Sequence, residues 1–456
     1  MECRHSKYFT TLVAYMNKDT DVPLSFLDRN PVLRNREFLC LLFFRFGIFL
    51  VLTLQSTAIY FWVYQITGSN LKMGMIGLAE LVPAILFSTV SGYVIDMNKK
   101  RKMLLLCAVG YAFLGLGLSV LSTGTSLRYL GLTWIRNGIF FFIFIGGMLR
   151  AFLNPSLFAM LGLIIPREQY TAGASWSSMA FKVGTVVGPL LFGVIDAVIS
   201  IATHTNEPMV AGQVRAIKSV TGSMFLIFFV ELILVVLVLL IKEKPFVKPP
   251  KKESMMESLS IGLKFIFRTK ALLGAQLLDM FTVLFGGAVA LLPAFIDTYK
   301  MNEIEYGILR AAPGVGSIIM MIFMVYLPLN TQPGKKLLWC CAGFGVASII
   351  FGLSSGIILA TIALVFTGIF DAVSVVVRNT ILQLVTPDEM RGRVSSVNTM
   401  FTSSSNELGD FESGVTAEWW GTIRAIKAGG CLTLSVVGLI AALAKKLRNF
   451  KYEDYK

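Results

Sequence analysis

Long apolar runs recur from one end of this sequence to the other, and each is about as long as a bilayer is thick. A helix that crosses the hydrocarbon core needs about 20 mostly apolar residues. The runs predict helices at residues 38–66, 72–97, 103–123, 133–164, 171–198, 220–242, 271–298, 304–328, 337–355, 357–385, 393–422 and 426–445. The predicted fold is therefore an all-α membrane protein with about twelve transmembrane helices.

The composition excludes a soluble protein. The chain is 55% hydrophobic and only 15% charged, whereas soluble domains carry about 25% charged residues. The net charge of +14 would suit a nucleic-acid-binding protein only if the basic residues shared one face or tail. They lie instead between the apolar runs, so we expect the bilayer as partner and no nucleic acid.

Few residues in this chain offer metal or catalytic chemistry. The six cysteines have neither metal-site nor disulfide spacing, and the only histidines are His5 and His204. The sequence has no P-loop, no H-E-x-x-H and no G-x-S-x-G. We therefore expect no metal, no cofactor, no ATP-driven step in this chain and no enzyme activity.

The distribution of basic residues predicts the topology. Most of the 41 Lys and Arg residues fall in the termini and in every second loop. Because basic loops stay on the cytoplasmic side, both termini are predicted to be cytoplasmic. Residues 1–37 are polar and mixed in charge, which argues against a cleavable signal peptide. Met16 is a second possible start, and the sequence leaves that choice open.

A Lys- and Pro-rich stretch at 242–256 divides six predicted helices from six. Residues 255–268 follow as a short amphipathic helix, which we expect on the membrane surface. The predicted segments are listed in chain order. They are a cytoplasmic N-terminal segment (1–37), a six-helix bundle (38–242), a cytoplasmic linker with the amphipathic helix (243–270), a second six-helix bundle (271–445) and a cytoplasmic tail (446–456).

The two halves repeat each other. Gly77, Glu80 and Pro83 match Gly307, Arg310 and Pro313 at a constant offset in the second and eighth predicted helices. A second constant offset maps Gly188 and Gly193 of the fifth helix onto Gly409 and Gly414 of the eleventh. These matches indicate two pseudo-symmetric bundles, a plan that places a substrate site near the midplane between the halves.

Two short motifs stand out in the first half. The segment that follows the second helix contains Gly92, Asp96, Lys100 and Arg101. It resembles motif A of the major facilitator superfamily, but Met97 and Lys99 depart from it. The fifth helix resembles motif C, which the superfamily associates with antiporting exporters; its residues are Gly184, Gly188, Pro189 and Gly193. We expect Gly92 to permit a tight turn and the basic cluster to lock helix ends. We expect the motif C glycines and Pro189 to let the fifth helix pack closely and bend.

The segments 277–293 and 386–414 resemble a bacterial branch that contains enterobactin exporters and macrolide-efflux proteins. The resemblance implies a monomeric, proton-coupled exporter in the inner membrane of a bacterium. Its substrate would be a small, partly hydrophobic molecule of drug, macrolide or siderophore type. An importer, a uniporter or a lipid flippase of the same fold stays open, as does a non-transporting receptor; a membrane-embedded enzyme would need a catalytic cluster that the sequence lacks.

Charged residues inside the apolar runs are functional candidates, because placing a charge in the bilayer interior costs several kcal/mol unless the charge is paired or hydrated. They are Arg45, Glu80, Arg150, Lys182, Glu231, Asp279, Arg310, Asp371, Arg378, Glu407, Asp410 and Glu412.

Several repeat-related positions carry opposite charges. We predict that Arg45–Asp279 and Arg150–Asp371 meet across a central cavity in at least one state, and Glu80–Arg310 is a third such pair. The alternative is that these are static bridges. Lys182 would counter the acids of the eleventh helix or contact an anionic substrate, and the sequence does not decide between the two.

A carboxylate that gains and loses a cationic partner changes its proton affinity, which couples protons to alternating access. The first candidates for this role are Asp279 and Glu407, followed by Glu80 and Asp371. Glu407 and Asp410 are three residues apart and so share a helix face. Glu231 is expected to face a polar neighbour or, as a weaker alternative, the pathway.

Overall fold

Helices make up nearly all of the chain that the computed structural model describes. The structure describes residues 30–166, 169–202, 210–245, 255–326, 332–387 and 390–450. The predicted start at Met16 and part of the linker, residues 246–254, lie outside these ranges.

The first bundle consists of six long helices, as predicted. They are α1 (Arg36–Thr67), α2 (Asn70–Met97), α3 (Lys100–Leu121), α4 (Gly124–Ile164), α5 (Tyr170–Ala202) and α6 (Val210–Leu240). Asn35 caps α1 by accepting hydrogen bonds from two backbone N–H groups of the first turn. Gly131 interrupts α4 with φ 73° and ψ 163°, a conformation that favours glycine, and the long apolar part of α4 follows it.

The second half begins with the predicted amphipathic helix α7 (Met255–Arg268). This helix packs on the helix at Arg391–Trp420. Next come α8 (Lys270–Gly286), the short α9 (Leu292–Thr298) and α10 (Glu303–Tyr326). The chain ends with α11 (Pro333–Leu353), α12 (Ile357–Val385), α13 (Arg391–Trp420), α14 (Thr422–Leu443) and the one-turn α15 (Lys445–Arg448).

The prediction of one continuous seventh helix is wrong in detail. Residues 271–298 form α8, a 3₁₀ turn at Ala288–Leu291 and α9. The break follows Gly286 and Gly287, and Pro293 occupies the first turn of α9. Glycine weakens a helix, and proline is best accommodated at a new helix start, because it lacks the N–H that an interior position would donate.

Eleven helical spans among the described residues are long and apolar enough to cross a membrane. Large apolar side chains such as Phe113, Phe229 and Trp339 stay more than half exposed, as expected for surfaces that face lipid. The remaining long helix, α13, has 30 residues but is much more polar. It packs along α2, so part of its polar surface faces protein.

The two bundles meet along two long helix pairs. α2 packs against α13, and α5 packs against α10. These pairs relate the second helix of one half to the fifth of the other, as a pseudo-twofold repeat requires. The fold is therefore two related six-helix bundles that share one seam.

Candidate functional site

A charged cluster lies at the seam, with Arg150 of α4 at its centre. Its Nη1 lies 2.5 Å from Glu80 Oε1 on α2 and 2.8 Å from Glu407 Oε1 on α13. The Arg150 and Glu80 side chains are about one-third exposed, and Glu407 is almost buried. One cation thus holds a carboxylate of its own bundle and a carboxylate of the other.

A second polar contact joins the bundles close to the first. The Tyr60 hydroxyl of α1 donates to Asp410 Oδ2 at 2.5 Å. Arg310 of α10 lies over the Tyr60 ring, with Cζ 4.8 Å from the ring centroid, and donates to Ser56 Oγ at 2.8 Å. A cation on an aromatic face is stabilised by the ring quadrupole. Five helices of the two bundles thus contribute to these contacts.

Close backbone packing positions the acids of α13. A Cβ placed on Gly77 of α2 would lie 2.5 Å from the Glu407 carbonyl oxygen and 3.2 Å from Asp410 Cβ. Gly74 meets Gly414 in the same way, so α2 and α13 approach with little between them. The three-residue spacing directs both Glu407 and Asp410 toward the first bundle, on the shared helix face that the sequence predicts.

A separate buried ion pair lies inside the second bundle. Arg378 of α12 pairs with Asp279 of α8, and both are nearly inaccessible to solvent. Ser374, one turn from Arg378, donates to Asp279 Oδ1 at 3.4 Å. Asp371 lines the same small cavity as Asp279, beside Ser374, Cys341 and Thr282.

The ion pairs of this conformation differ from the three predicted pairs. Arg150 contacts Glu80 and Glu407 in place of Asp371, and Asp279 pairs with Arg378 in place of Arg45. Arg310 contacts Ser56 and Tyr60 in place of Glu80. The reason is local: Glu80 and Arg150 lie on neighbouring helices of one bundle, as do Asp279 and Arg378. Repeat symmetry fixes similar depth for equivalent residues but does not bring them into contact.

The motif A residues link the ends of α2, α3 and α6. Arg101 donates to the backbone oxygens of Val238 and Leu239 at the end of α6, at 3.4 and 2.8 Å. Lys99 pairs with Glu243 at 2.8 Å, and this contact lowers the pKa of the exposed Glu243 carboxyl. Lys100 donates to the Ile95 carbonyl at 2.5 Å. The predicted turn at Gly92 is wrong, because α2 continues to Met97; the side chain of Asp96 is outside what the structure describes.

The motif C residues lie between two neighbouring helices. Gly184 and Gly188 approach the backbone of α1 near Phe46 and Leu50. One to two turns later, Gly193 approaches Ile304 of α10. Pro189 lies within the helix, and its carbonyl oxygen would be 2.7 Å from a Cβ on Gly307. These positions therefore bring α5 against its own bundle and against the other.

Among known families, the sequence profile of the Major Facilitator Superfamily matches residues 29–409. The chain belongs to the Major Facilitator Superfamily. It is a multi-pass membrane transporter of this superfamily and not an enzyme.

Curated relatives of this superfamily member include enterobactin exporters. The chain is 25% identical to the enterobactin exporter EntS of Shigella boydii serotype 18 over 434 residues, which cover 94% of this chain and 95% of that one. It is 24% identical to EntS of Escherichia coli strain K12 over the same length and coverage.

Solved structures with the superfamily fold superpose over most of the chain. A bacterial homologue of the iron transporter ferroportin has a TM-score of 0.64 at 17% identity, covering 91% of this chain and 99% of its own. A POT family transporter has a TM-score of 0.67 at 14% identity, with coverages of 91% and 97%. These similarities concern the fold alone.

The site contacts of Tyr60 and Ser56 escape a reading of the sequence. Tyr60 and Ser56 appear there as ordinary helix residues, although their four-residue spacing places them on one face of α1. Glu231 of α6 is buried against Gly115 of α3, and neither carboxylate oxygen has a hydrogen-bond partner among the described residues. The expected polar neighbour is therefore not among those residues. No group of metal-ligating side chains occurs in the described part of the chain.

Proposed function

We propose that this transporter is a proton-coupled exporter of a small, partly hydrophobic molecule, of drug, macrolide or siderophore type, and that it works by alternating access. The sequence similarity to enterobactin exporters over nearly the whole chain supports the export direction and the siderophore type. The observation that carries the coupling is the position of Arg150 between Glu80 and Glu407.

The coupling follows from electrostatics. While Glu407 is ionised, its attraction to Arg150 holds the two bundles together at the seam. A proton on Glu407 removes that attraction, and Arg150 keeps Glu80 as a partner within its own bundle. The bundles then separate without leaving an unpaired arginine in a medium of low dielectric, where such a charge is costly. In export driven by an inward proton gradient, the proton reaches Glu407 from the outside and leaves to the cytoplasm. Its departure restores the Arg150–Glu407 contact that keeps the outside closed.

The described hydrogen bonds between the bundles support one orientation of this conformer. Apart from the Arg150–Glu407 contact, several of them involve the second half of α1 and the start of α2, through Thr57, Tyr60, Tyr64 and Ser69. The basic termini and loops lie at the opposite helix ends. With those ends in the cytoplasm of a bacterium, the structure corresponds to a transporter closed on the outside. We propose a monomer in the inner membrane with both termini cytoplasmic.

Asp279 and Asp371 are a second group of candidates for proton binding. Asp279 has Arg378 and Ser374 as partners, and Asp371 lines the adjacent cavity. Their burial inside the second bundle suits a proton that moves when α8 and α12 shift. Glu407 comes first, because it alone of the three belongs to an ion pair that spans the seam.

The first experiment identifies a substrate and its coupling. A strain that lacks the gene and a strain that overexpresses it are compared for sensitivity to a panel of toxic compounds, and each hit is then assayed in everted membrane vesicles. Export that stops when an uncoupler collapses the pH gradient supports proton coupling. Export that continues unchanged contradicts it, and a panel without any change in sensitivity contradicts an exporter of such compounds.

The second experiment tests Glu407 itself. Glu407→Gln keeps the shape of the side chain but cannot ionise, so we expect vesicles with this variant to lose export driven by a pH gradient. Glu412→Gln is the matched control on the same helix, because Glu412 contacts Thr416 of its own helix. Equal export by the native chain and Glu407→Gln would remove Glu407 from the coupling mechanism.

A further inference from the structure

Two aromatic rings meet between α1 and α5, and each has a cation of its own helix beside it. We call Arg45, Phe49, Phe181 and Lys182 the cation–aromatic cluster. The Phe49 and Phe181 rings meet edge to face, with centroids 4.5 Å apart and an interplanar angle of 85°. Arg45 Cζ lies 5.8 Å from the Phe49 centroid, and Lys182 Nζ lies 5.9 Å from the Phe181 centroid.

Neither cation of the cluster has an anionic partner in the part of the chain that the structure describes. Neither Arg45 nor Lys182 forms an ion pair with any residue that the structure describes, whereas Arg150 and Arg378 both do. Arg45 Nε is buried and has no hydrogen-bond partner among the described residues. A cation in a membrane interior costs several kcal/mol unless something compensates it, and a ring face supplies only part of that.

The cluster faces the other bundle. Val186, one turn after Lys182 on α5, packs against Gly314 of α10, where an added Cβ would lie 2.6 Å from the Val186 side chain. On α1 the cluster precedes Ser56, where the described hydrogen bonds to the other bundle begin. The cluster therefore belongs to the part of the seam for which the structure describes no interbundle hydrogen bond.

We propose that the cation–aromatic cluster binds an aromatic anion, a substrate that carries a carboxylate, a sulfonate or a phenolate on an aromatic ring. The two cations would hold the anionic group by charge-assisted hydrogen bonds, which are stronger than neutral ones. Phe49 and Phe181 would contact the ring by edge-to-face or offset stacking. This inference rests on the proposed function, for which it names the substrate class.

Three probes separate charge from ring recognition. Naphthalene-2-sulfonate is an aromatic anion, naphthalene-2-sulfonamide keeps the ring without the charge, and octane-1-sulfonate keeps the charge without the ring. Binding of each to the purified full chain in detergent micelles is measured by isothermal titration calorimetry, with empty micelles as blank. We expect the aromatic anion to bind about tenfold more tightly than the sulfonamide, as one charge-assisted contact implies. It should also bind severalfold more tightly than octane-1-sulfonate, because that probe lacks the ring contact.

Variants of the four cluster residues test whether the cluster causes the preference for naphthalene-2-sulfonate. Arg45→Gln and Lys182→Gln should each remove most of the preference for naphthalene-2-sulfonate over the sulfonamide. Phe49→Leu and Phe181→Leu should remove most of its preference over octane-1-sulfonate. Arg424→Gln, which changes an exposed cation of α14 in the other bundle, is the matched control and should leave both preferences unchanged. Unfolding temperatures are compared, and Lys182→Arg, which keeps the charge, should retain the preference.

The outcomes separate this inference from the proposed function. Equal binding of the three probes by the native chain overturns it, and that comparison requires no variant to fold. Preferences that survive all four cluster variants also overturn it, because the anion then binds elsewhere. If Glu407→Gln stops proton-driven export while the native chain shows no preference among the probes, the proposed function stands and the substrate class is wrong.

Discussion

Arg150 has two acidic partners, whereas the other ion pair that the structure describes inside the membrane-spanning helices has one acid and one cation. With Glu80 in its own bundle and Glu407 in the other, it can lose one partner without becoming an unpaired charge. Arg378 has only Asp279 as an ion-pair partner among the described residues, and both belong to one bundle. The first arrangement suits a switch, and the second suits a fixed bridge.

Removing one partner of the Asp279–Arg378 pair should destabilise the protein severely. Arg378→Met leaves Asp279 buried without its cation, which typically costs about 3–5 kcal/mol. The double variant Arg378→Met with Asp279→Leu should recover most of that loss, because it leaves no buried charge. Thermal unfolding of the purified protein in detergent measures both. If the double variant is as unstable as Arg378→Met alone, the loss of stability does not come from an unpaired buried charge.

The hydroxyl of Tyr60 should matter more than that of Tyr64. Tyr60→Phe keeps the ring beneath Arg310 but removes the donor to Asp410. Loss of a hydrogen bond to a charged, buried group costs about 1–3 kcal/mol, so we expect the closed seam to weaken and coupled export to fall severalfold. Tyr64→Phe, which loses a bond to Asp297 at the exposed end of α1, is the control. Similar export rates in vesicles for both variants would argue against the prediction.

The Lys99–Glu243 contact makes a pH-dependent contribution to stability. Because the contact lowers the folded-state pKa of Glu243 below its usual 4.5, its stabilisation is complete above that value and is lost as the pH falls through the lowered pKa. Glu243→Gln should therefore lower the unfolding temperature more at pH 7 than at pH 3. The effect should also shrink in high salt, since both side chains are about half exposed. A decrease of equal size at both pH values would exclude the ionised carboxylate as its source.

Among the helices, α13 shows most clearly how packing can outweigh composition. Its serines, threonines and acids place it outside the apolar spans, yet it occupies the eleventh position of the fold. The neighbours make this possible, because α2 approaches it through Gly74 and Gly77. A polar helix is stable in a membrane when its polar groups face protein and not lipid.

The glycine contact between α2 and α13 should not tolerate a methyl group. A Cβ on Gly77 would lie 2.5 Å from the Glu407 carbonyl oxygen, so Gly77→Ala must push the helices apart and shift Glu407. We expect a lower unfolding temperature and strongly reduced export. Gly438→Ala on α14 is the control, since open space surrounds that position and alanine favours a helix over glycine. Normal export by Gly77→Ala would mean that the seam is looser than the structure indicates.

For the molecule as a whole, the two bundles should move relative to each other as rigid bodies. The Ser69 hydroxyl of α2 lies 3.2 Å from Glu418 Oε2 of α13. In a Ser69→Cys/Glu418→Cys chain, with the six native cysteines replaced, a short bis-methanethiosulfonate reagent can join the two thiols through disulfide bonds, which a reductant cleaves. We expect this cross-link to stop export and a reductant to restore it.

A cross-link inside one bundle provides the control. Lys99 and Glu243 form an ion pair within the first bundle, so a Lys99→Cys/Glu243→Cys chain treated in the same way should continue to export. Export by the cross-linked Ser69→Cys/Glu418→Cys chain would contradict a mechanism in which the seam opens at this end.

The sequence by itself determined most of the helices and the plan of two six-helix bundles, because a run of about 20 apolar residues has one stable form in a bilayer. The break between α8 and α9 came only from the structure. The sequence also identified Glu80, Arg150 and Glu407 as costly intramembrane charges. It did not identify their partners: only the tertiary structure joined Arg150 to Glu407 and Asp279 to Arg378. Apolar length is a local property of the chain, whereas an ion pair depends on the rotation and contact of helices that are distant in sequence.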